Sequence, residues 1–225
     1  NIVRNFCIND NIKQNNDKLN LLGISFNHNI AKGKEIIKEF SPSYAHINDP
    51  AEYNKIEKLE DCSYFNSTTD LENIINHKDI DIIVCAISGF AGLKAAYIAA
   101  STGKKILLAN KESIVAGGDL ILPLAKENNS EIIPIDSEHN AIFQYLSGER
   151  GTEDVQKITI TASGGPFLNY AISDLKNVTK NEALNHPNWK MGNKVTIDSA
   201  TLVNKCLELI EAKYLFNLDE KFFDL

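Results

Sequence analysis

The chain has 225 residues, 43% hydrophobic and 24% charged, with a formal net charge of −7. That is ordinary globular composition with room for one large domain or two small ones. It excludes a basic footprint for nucleic acid or membrane, and no run is long and apolar enough to span a bilayer. The four cysteines, Cys7, Cys62, Cys85 and Cys206, show no paired spacing and read as thiols of a reducing compartment, not a disulfide frame or zinc site. Asn1–Arg4 lacks an initiator Met and reads like the tail of a helix, and Phe222–Leu225 stops without a terminal element. A fragment cut at both ends is therefore expected, poorly soluble and almost without turnover on its own.

In chain order, Leu19–Phe26 is apolar and strand-length, and Asn27-His28-Asn29 is a polar turn. Ala31–Phe40 has helical spacing, with Ile36, Ile37 and Phe40 on one side. Pro42 ends it, Tyr44–Ile47 reads as a short strand, and Pro50–Leu59 is weakly helical. Thr69 is expected to cap a helix carrying Leu71, Ile74 and Ile75. Ile80–Ile87 is mostly β-branched, as for a strand covered on both faces. Ser88–Gly92 turns into an alanine-rich helix ending near Gly103; Lys105–Ala109 is the next strand, and a helix from about Ile114 to Asn128 leads to the apolar run Ile132–Ile135. Strand alternating with helix predicts an α/β protein with a doubly wound parallel sheet, which gathers ligands at the carboxyl ends of its strands.

Three strand ends carry polar groups. Asn27, His28 and Asn29 lie where an adenosine ribose and its 2′-phosphate would sit, or are simply turn residues. Asn110, Lys111, Glu112 and Ser113 read either as a capped helix with a solvated Lys-Glu pair or as contacts to a substrate oxyanion and a nicotinamide ribose. Asp136 and Glu138 follow Ile132–Ile135, and a helical pattern runs from about His139 to Leu146. The two acids are an N-cap with a first-turn acid, or two ligands leaving a strand end on one face. Like charges so close call for a cation between them, and hard oxygen donors suit Mg²⁺ or Mn²⁺.

In the second half, Val155–Thr161 alternates as a half-exposed strand, followed by Ser163-Gly164-Gly165-Pro166, an anion-binding nest or a plain turn. Thr179 and Glu182 make a capping box. His186–Gly192 holds the only Trp, Trp189, and the only Met. Stiffened by Pro187 and hinged at Gly192, it reads as a water-excluding lid or as a Trp tucked into the core. A long helix is expected from Thr201 to Phe216, capped by Asp198 or Ser199, with a phosphate-binding N-terminus. Leu202, Val203, Cys206, Leu209 and Ile210 would form its apolar stripe, and Asn204, Lys205 and Glu208 a polar face toward a cleft or solvent.

Taken together, Leu107–Ser113 (LLANKES), Pro134–Gln144 (PIDSEHNAIFQ), Ser163–Phe167 (SGGPF), His186–Gly192 (HPNWKMG) and Ile197–Phe216 (IDSATLVNKCLELIEAKYLF) resemble the 1-deoxy-D-xylulose 5-phosphate reductoisomerase family, in order and spacing. The part before about Ile80 matches in pattern more than in residues. The resemblance implies a truncated Rossmann-like doubly wound parallel sheet followed by part of an α+β catalytic domain. Residues 1–135 would be the NADPH-binding domain, without its first strand and Gly-rich loop, and 136–225 the metal- and substrate-binding domain. It implies NADPH and Mg²⁺ or Mn²⁺ as cofactors and a reaction in which the ketose phosphate rearranges and is reduced to 2-C-methyl-D-erythritol 4-phosphate, an isoprenoid precursor.

The resemblance further maps metal ligands to Asp136, Glu138 and Glu208. Substrate contacts map to Lys111, Ser137, Glu138, Ser163, His186, Ser199, Asn204, Lys205 and Glu208. Lys111, Lys205, His186 and the lid residue Trp189 join the metal ligands as catalytic positions. Nicotinamide-nucleotide contacts map to Asn110, Glu112 and Gly192, and to Asn27, His28 and Asn29, where the family often has Lys in place of His28. It implies a homodimer, with neither nucleic acid nor membrane as partner, in a bacterial cytoplasm or a plastid-type organelle. Two other readings stay open: a metal-dependent sugar-phosphate lyase or aldolase without a nicotinamide step, and a non-catalytic remnant.

Overall fold

The computed structural model describes residues 19–148, 152–153 and 155–224. The helix-tail reading of Asn1–Arg4, with Cys7 and Leu225, lies outside the described residues. The chain divides into two compact units between Asp81 and Ile82.

The first unit has a three-stranded parallel sheet in the order β1-β2-β3, of Gly23–Phe26, Tyr44–Ile47 and Ser63–Phe65. Between and after the strands run α1 (Ile30–Phe40), α2 (Pro50–Lys55) and α3 (Thr68–Ile75). Its core gathers Ile37, Ala45, Ile47, Ile56 and Cys62, with Ile24, Phe26 and Ile30 packed against them. Gly33 is required on α1, since a Cβ there would strike the Phe26 ring. Inside this core His46 is fully paired. Its Nε2 lies 3.0 Å from the Ser67 carbonyl and its Nδ1 3.0 Å from Ser25 Oγ. A carbonyl only accepts, so Nε2 carries the proton and Nδ1 takes the serine hydroxyl. The expected Thr69 cap is instead Ser67, which forms a reciprocal box with Asp70 and leaves Thr69 within the helix.

The second unit begins with another parallel sheet, β4 (Ile82–Cys85), β5 (Lys105–Leu108) and β6 (Glu131–Pro134), in that order and with Cys85, Leu108 and Pro134 in register. The helices α4 (Leu93–Ala100) and α5 (Lys111–Glu127) connect them. Alternate residues of β4, Ile82 and Val84, remain 37% and 42% exposed while Cys85 is buried. The expectation of a strand covered on both faces therefore does not hold for β4; the described residues cover one face. Burial alone pushes the Cys85 thiol up to about 12, so it is an inert core group.

What positions the site is a break in α5. Gly117 departs from helical geometry (φ −143°, ψ 18°). A Cβ there would lie 2.6 Å from Leu93 of α4, and one on Gly118 would lie 2.8 Å from the Tyr214 ring. The glycine pair thus lets one helix close in from α4's side and another from Tyr214's. Beyond β6 come α6 (Ser137–Leu146), α7 (Lys180–Ala183), α8 (Asn193–Ala200) and α9 (Val203–Phe216), the last of which carries Tyr214 and packs along α5.

The second half differs from the sequence-based expectation in three ways. The Val155–Thr161 strand shrinks to β7, Ile158–Thr159, which pairs in parallel with β8, Phe223–Asp224. The segment expected to end without an element therefore supplies a strand. The expected Thr201–Phe216 helix is present as α9, but neither Asp198 nor Ser199 caps it: both sit inside α8, and α9 starts after Leu202, whose φ of 62° is left-handed and which makes no side-chain cap. Finally, the buried face of α9 is Lys205, Glu208, Glu211 and Ala212, while Leu202, Val203, Cys206 and Ile210 are exposed.

Candidate metal and phosphate site

The site grows from two strand ends. After β5, Asn110 caps α5, accepting from Ser113 N at 2.6 Å, while its amide donates to the carbonyls of Ile87 and Gly89 beyond β4. The capped-helix reading of Asn110 is therefore its local role, and it ties the ends of β4 and β5 together. It also fixes Lys111 as the first residue of α5. An ammonium at a helix N-terminus opposes the dipole, and this one is almost fully buried, so only carboxylates can hold it. After β6, Asp136 caps α6, accepting from Glu138 N at 3.3 Å, and Asn140 ties the helix back to Pro134 O at 2.8 Å. The cap reading and the ligand reading of Asp136 and Glu138 thus coexist: the cap presents both carboxylates from one helix start.

Across from them α9 brings Asn204, Lys205 and Glu208. Lys111 Nζ lies 3.0 Å from Asp136 Oδ2, 2.8 Å from Glu208 Oε1 and 2.9 Å from Asn204 Oδ1. Lys205 Nζ is 3.0 Å from Glu138 Oε1 and pairs with Glu208 Oε2. Burial opposes a charged Lys111, but Asp136 and Glu208 overcome it and raise its pKa. Burial likewise works against the Asp136 anion, yet the His139 hydrogen bond and the Lys111 charge hold it well below the usual carboxylate range.

One oxygen each from Asp136, Glu138 and Glu208 lie within 4.8 Å of one another. Oxygens bound at about 2.0–2.5 Å to one small ion are separated by at most about 4–5 Å, so the three fit a single divalent cation. Two ammonium groups face the three carboxylates of Asp136, Glu138 and Glu208 here, and the residual negative charge favours such an ion.

A cavity of about 700 Å³ opens from this cluster. Lys111, Asp136, Ser137, Glu138, Ser163, Trp189, Ser199, Asn204, Lys205 and Glu208 all line it. Ser163 Oγ, in the same lining, lies 3.0 Å from His186 Nε2 and accepts from Gly165 N at 3.2 Å; His186 is not among the lining residues. His186 Nδ1 accepts the backbone N–H of Asn188 and of Trp189, at 3.2 and 3.0 Å. That assigns the ring proton to Nε2, which donates to Ser163. Gly164 and Gly165 have φ of 79° and 67°, and a Cβ on Gly165 would lie 2.5 Å from Ser199 O. Trp189 is 64% exposed, in line with the lid reading and not with a core Trp.

The remaining expected contacts have other local partners or none in the cavity lining. Glu112 is held by Lys194, 2.6 Å from Glu112 and 2.5 Å from Asp198. Gly192 caps α8 at φ −63° with open space around it, so nothing there requires a glycine. In the first unit, Asn27 accepts from Asn48 at 3.3 Å, His28 Nδ1 lies 2.9 Å from Asp49, and Asn29 caps α1. Each of that trio thus has a local structural role.

Sequence reasoning missed His139 and Glu211. His139 is fully buried, with Nε2 2.8 Å from the Glu208 carbonyl and Nδ1 3.2 Å from Asp136. The available signal was spacing: His139 is three residues from Asp136, and Glu211 continues the stripe of Asn204, Lys205 and Glu208.

Comparison with known proteins gives a consistent answer. Residues 10–118 match the family profile 1-deoxy-D-xylulose 5-phosphate reductoisomerase, and 132–216 match that family's C-terminal domain. The enzyme of that name from Vesicomyosocius okutanii is 44% identical over 211 residues, 93% of this chain and 55% of the relative. The Clostridium perfringens enzyme is 44% identical over 217 residues, 94% and 56%. The chain spans about half the length of the curated relatives it matches. A crystal structure of DOX-P reductoisomerase in complex with NADPH, fosmidomycin and magnesium superposes with a TM-score of 0.81 at 38% identity, covering 89% of this chain and 52% of the other. The Zymomonas mobilis enzyme in complex with NADPH gives 0.81 at 36% identity, covering 96% and 56%. With one family matched over residues 10–118 and again over 132–216, in sequence and in fold, this chain belongs to the 1-deoxy-D-xylulose 5-phosphate reductoisomerase family.

Proposed function

We propose that the chain carries the metal and sugar-phosphate site of an NADPH-dependent reductoisomerase that converts 1-deoxy-D-xylulose 5-phosphate to 2-C-methyl-D-erythritol 4-phosphate. The observation that carries this reading is the convergence of Asp136, Glu138 and Glu208 in the lining of a cavity that Ser163 and Ser199 also line. Asp136, Glu138 and Glu208 would hold Mg²⁺ or Mn²⁺, which when bound polarises the ketone and a neighbouring hydroxyl. Asn204, Lys205, Ser163 and Ser199 line the same cavity and offer donors to the phosphate, with His186 hydrogen-bonded to Ser163. Lys111 supplies a fixed positive charge beside the developing oxyanion. Trp189, exposed on the rim, folds over bound sugar to exclude water. Asn110, Glu112, Gly192 and, in the first unit, Asn27, His28 and Asn29 are assigned to the nicotinamide nucleotide. We retain 1–135 and 136–225 as the functional division, with the boundary at the β6–α6 junction. A homodimer and a cytoplasmic or plastid-type location complete the reading.

The test is a single-turnover incubation with protein in excess over 1-deoxy-D-xylulose 5-phosphate, with Mn²⁺ and NADPH, and Asp136→Asn as the blank. Formation of 2-C-methyl-D-erythritol 4-phosphate above the blank, however slow, supports the assignment. Cleavage of the sugar into smaller carbonyl fragments with NADPH unconsumed would replace it with a metal-dependent lyase.

A further inference from the structure

The cavity is lined by three lysines, Lys111, Lys190 and Lys205. Two of them are committed. Lys111 Nζ lies 3.0 Å from Asp136 and 2.8 Å from Glu208, and Lys205 Nζ lies 3.0 Å from Glu138 and pairs with Glu208 as well. Lys190 is exposed, and its ammonium meets no carboxylate among the described residues. The acids nearest to it along the chain are engaged elsewhere, Glu182 in its box with Thr179 and Asp198 with Lys194.

The position of Lys190 is tied to the residues assigned to the phosphate. It follows Trp189 on the rim, and both line the cavity. His186 Nδ1 accepts the backbone N–H of Trp189, while its Nε2 lies 3.0 Å from Ser163 Oγ. The turn that begins at Ser163 packs in turn on Ser199, where a Cβ on Gly165 would lie 2.5 Å from the carbonyl oxygen.

Charge gives Lys190 a task. A phosphate monoester carries close to two negative charges near neutral pH. The lining already holds three carboxylates against the two committed ammonium groups. A divalent ion would leave that cluster with a single positive charge, one short of the phosphate; without the ion the shortfall is larger. Ser163, Ser199 and Asn204 add donors but no charge. An unpaired ammonium on a flexible four-carbon stem can supply what is missing.

We propose that Lys190 is a specificity-determining substrate contact: its ammonium turns from the rim onto the phosphate of the bound sugar, balances its charge and so selects a phosphorylated ligand. The inference rests on the sugar-phosphate reading above.

The experiment is calorimetric titration of 1-deoxy-D-xylulose 5-phosphate, with Mg²⁺, into the 225-residue chain, Lys190→Met and Lys190→Arg, at low and high salt, with circular dichroism on each. At low salt Lys190→Met should weaken binding by about tenfold or more, and Lys190→Arg should stay close to the parent. The gap between parent and Lys190→Met should narrow at high salt, because an exposed charge is screened. Lys190→Met binding as tightly as the parent overturns the proposal. So does a loss indifferent to salt, or an equal loss in Lys190→Arg, since either shows packing and not charge. Should Lys190→Met not fold, Lys190→Gln takes its place. A parent that binds no sugar phosphate sinks the sugar-phosphate reading and this proposal together, whereas a binding parent with an indifferent Lys190→Met sinks this proposal alone.

Discussion

Lys111 Nζ meets Glu208 Oε1 at 2.8 Å across 97 residues of chain, with both side chains less than a tenth exposed. Lys111 and Lys205 bridge the three carboxylates. Removing Glu208 leaves both ammonium groups short of a partner in a dry setting. Glu208→Ala should therefore cost the ion-free protein about 3–5 kcal/mol, read as a lower urea midpoint. A variant as stable as the parent would mean that the cluster is wetter than its burial implies.

Trp189 is the only tryptophan and lines the cavity, so its fluorescence reports the rim alone. Adding 1-deoxy-D-xylulose 5-phosphate with Mg²⁺ should shift its emission to the blue as the indole leaves water. An emission spectrum indifferent to saturating ligand would rule out the lid role proposed for it.

Two glycines that look alike in sequence should behave oppositely. Gly165 combines a φ of 67° with a Cβ position 2.5 Å from Ser199 O, so Gly165→Ala should cost at least about 1–3 kcal/mol and weaken sugar-phosphate affinity by pushing the Ser163–Gly165 turn and Ser199 apart. Gly192 has ordinary φ and open surroundings, so Gly192→Ala should stay within about 1 kcal/mol of the parent. Thermal melts of the pair check this; equal losses would contradict it.

His46 makes the first unit acid-sensitive. Burial is the main cause that lowers its pKa from 6.5, outweighing the Ser67 carbonyl and the Asp70 charge. The unfolded chain therefore binds the extra proton first. Stability is fully present above about pH 6.5 and falls as pH drops below it toward the lowered folded value. Protonation would also turn Nδ1 into a donor facing the Ser25 hydroxyl. Denaturation midpoints across that range should decline for the parent and decline less for His46→Gln; parallel profiles would exclude His46 as the cause.

Much of this was legible in the chain itself. Apolar runs alternating with helical spacing located β1, β2, β4, β5 and β6, and the motifs around Lys111, Asp136, Ser163, Trp189 and Glu208 named the residues that line the cavity. The errors have physical causes. On α9 the hydrophobic-stripe rule pointed the wrong way, because the helix faces an ionic cluster and its polar side is the buried one. The break at Leu202 carries no Gly or Pro to announce it. The β7–β8 pair joins two-residue strands far apart in sequence, a length at which periodicity carries no signal. Ser67 beat Thr69 as a cap because Asp70 sits three residues after it.

The central claim is that Asp136, Glu138 and Glu208 form one cation site, and a calorimetric titration of Mn²⁺ into the metal-free chain tests it most directly. The account predicts one ion per chain, with binding lost or severely weakened in each of Asp136→Asn, Glu138→Gln and Glu208→Gln. Undiminished binding in all three variants, or no binding to the parent, would contradict it.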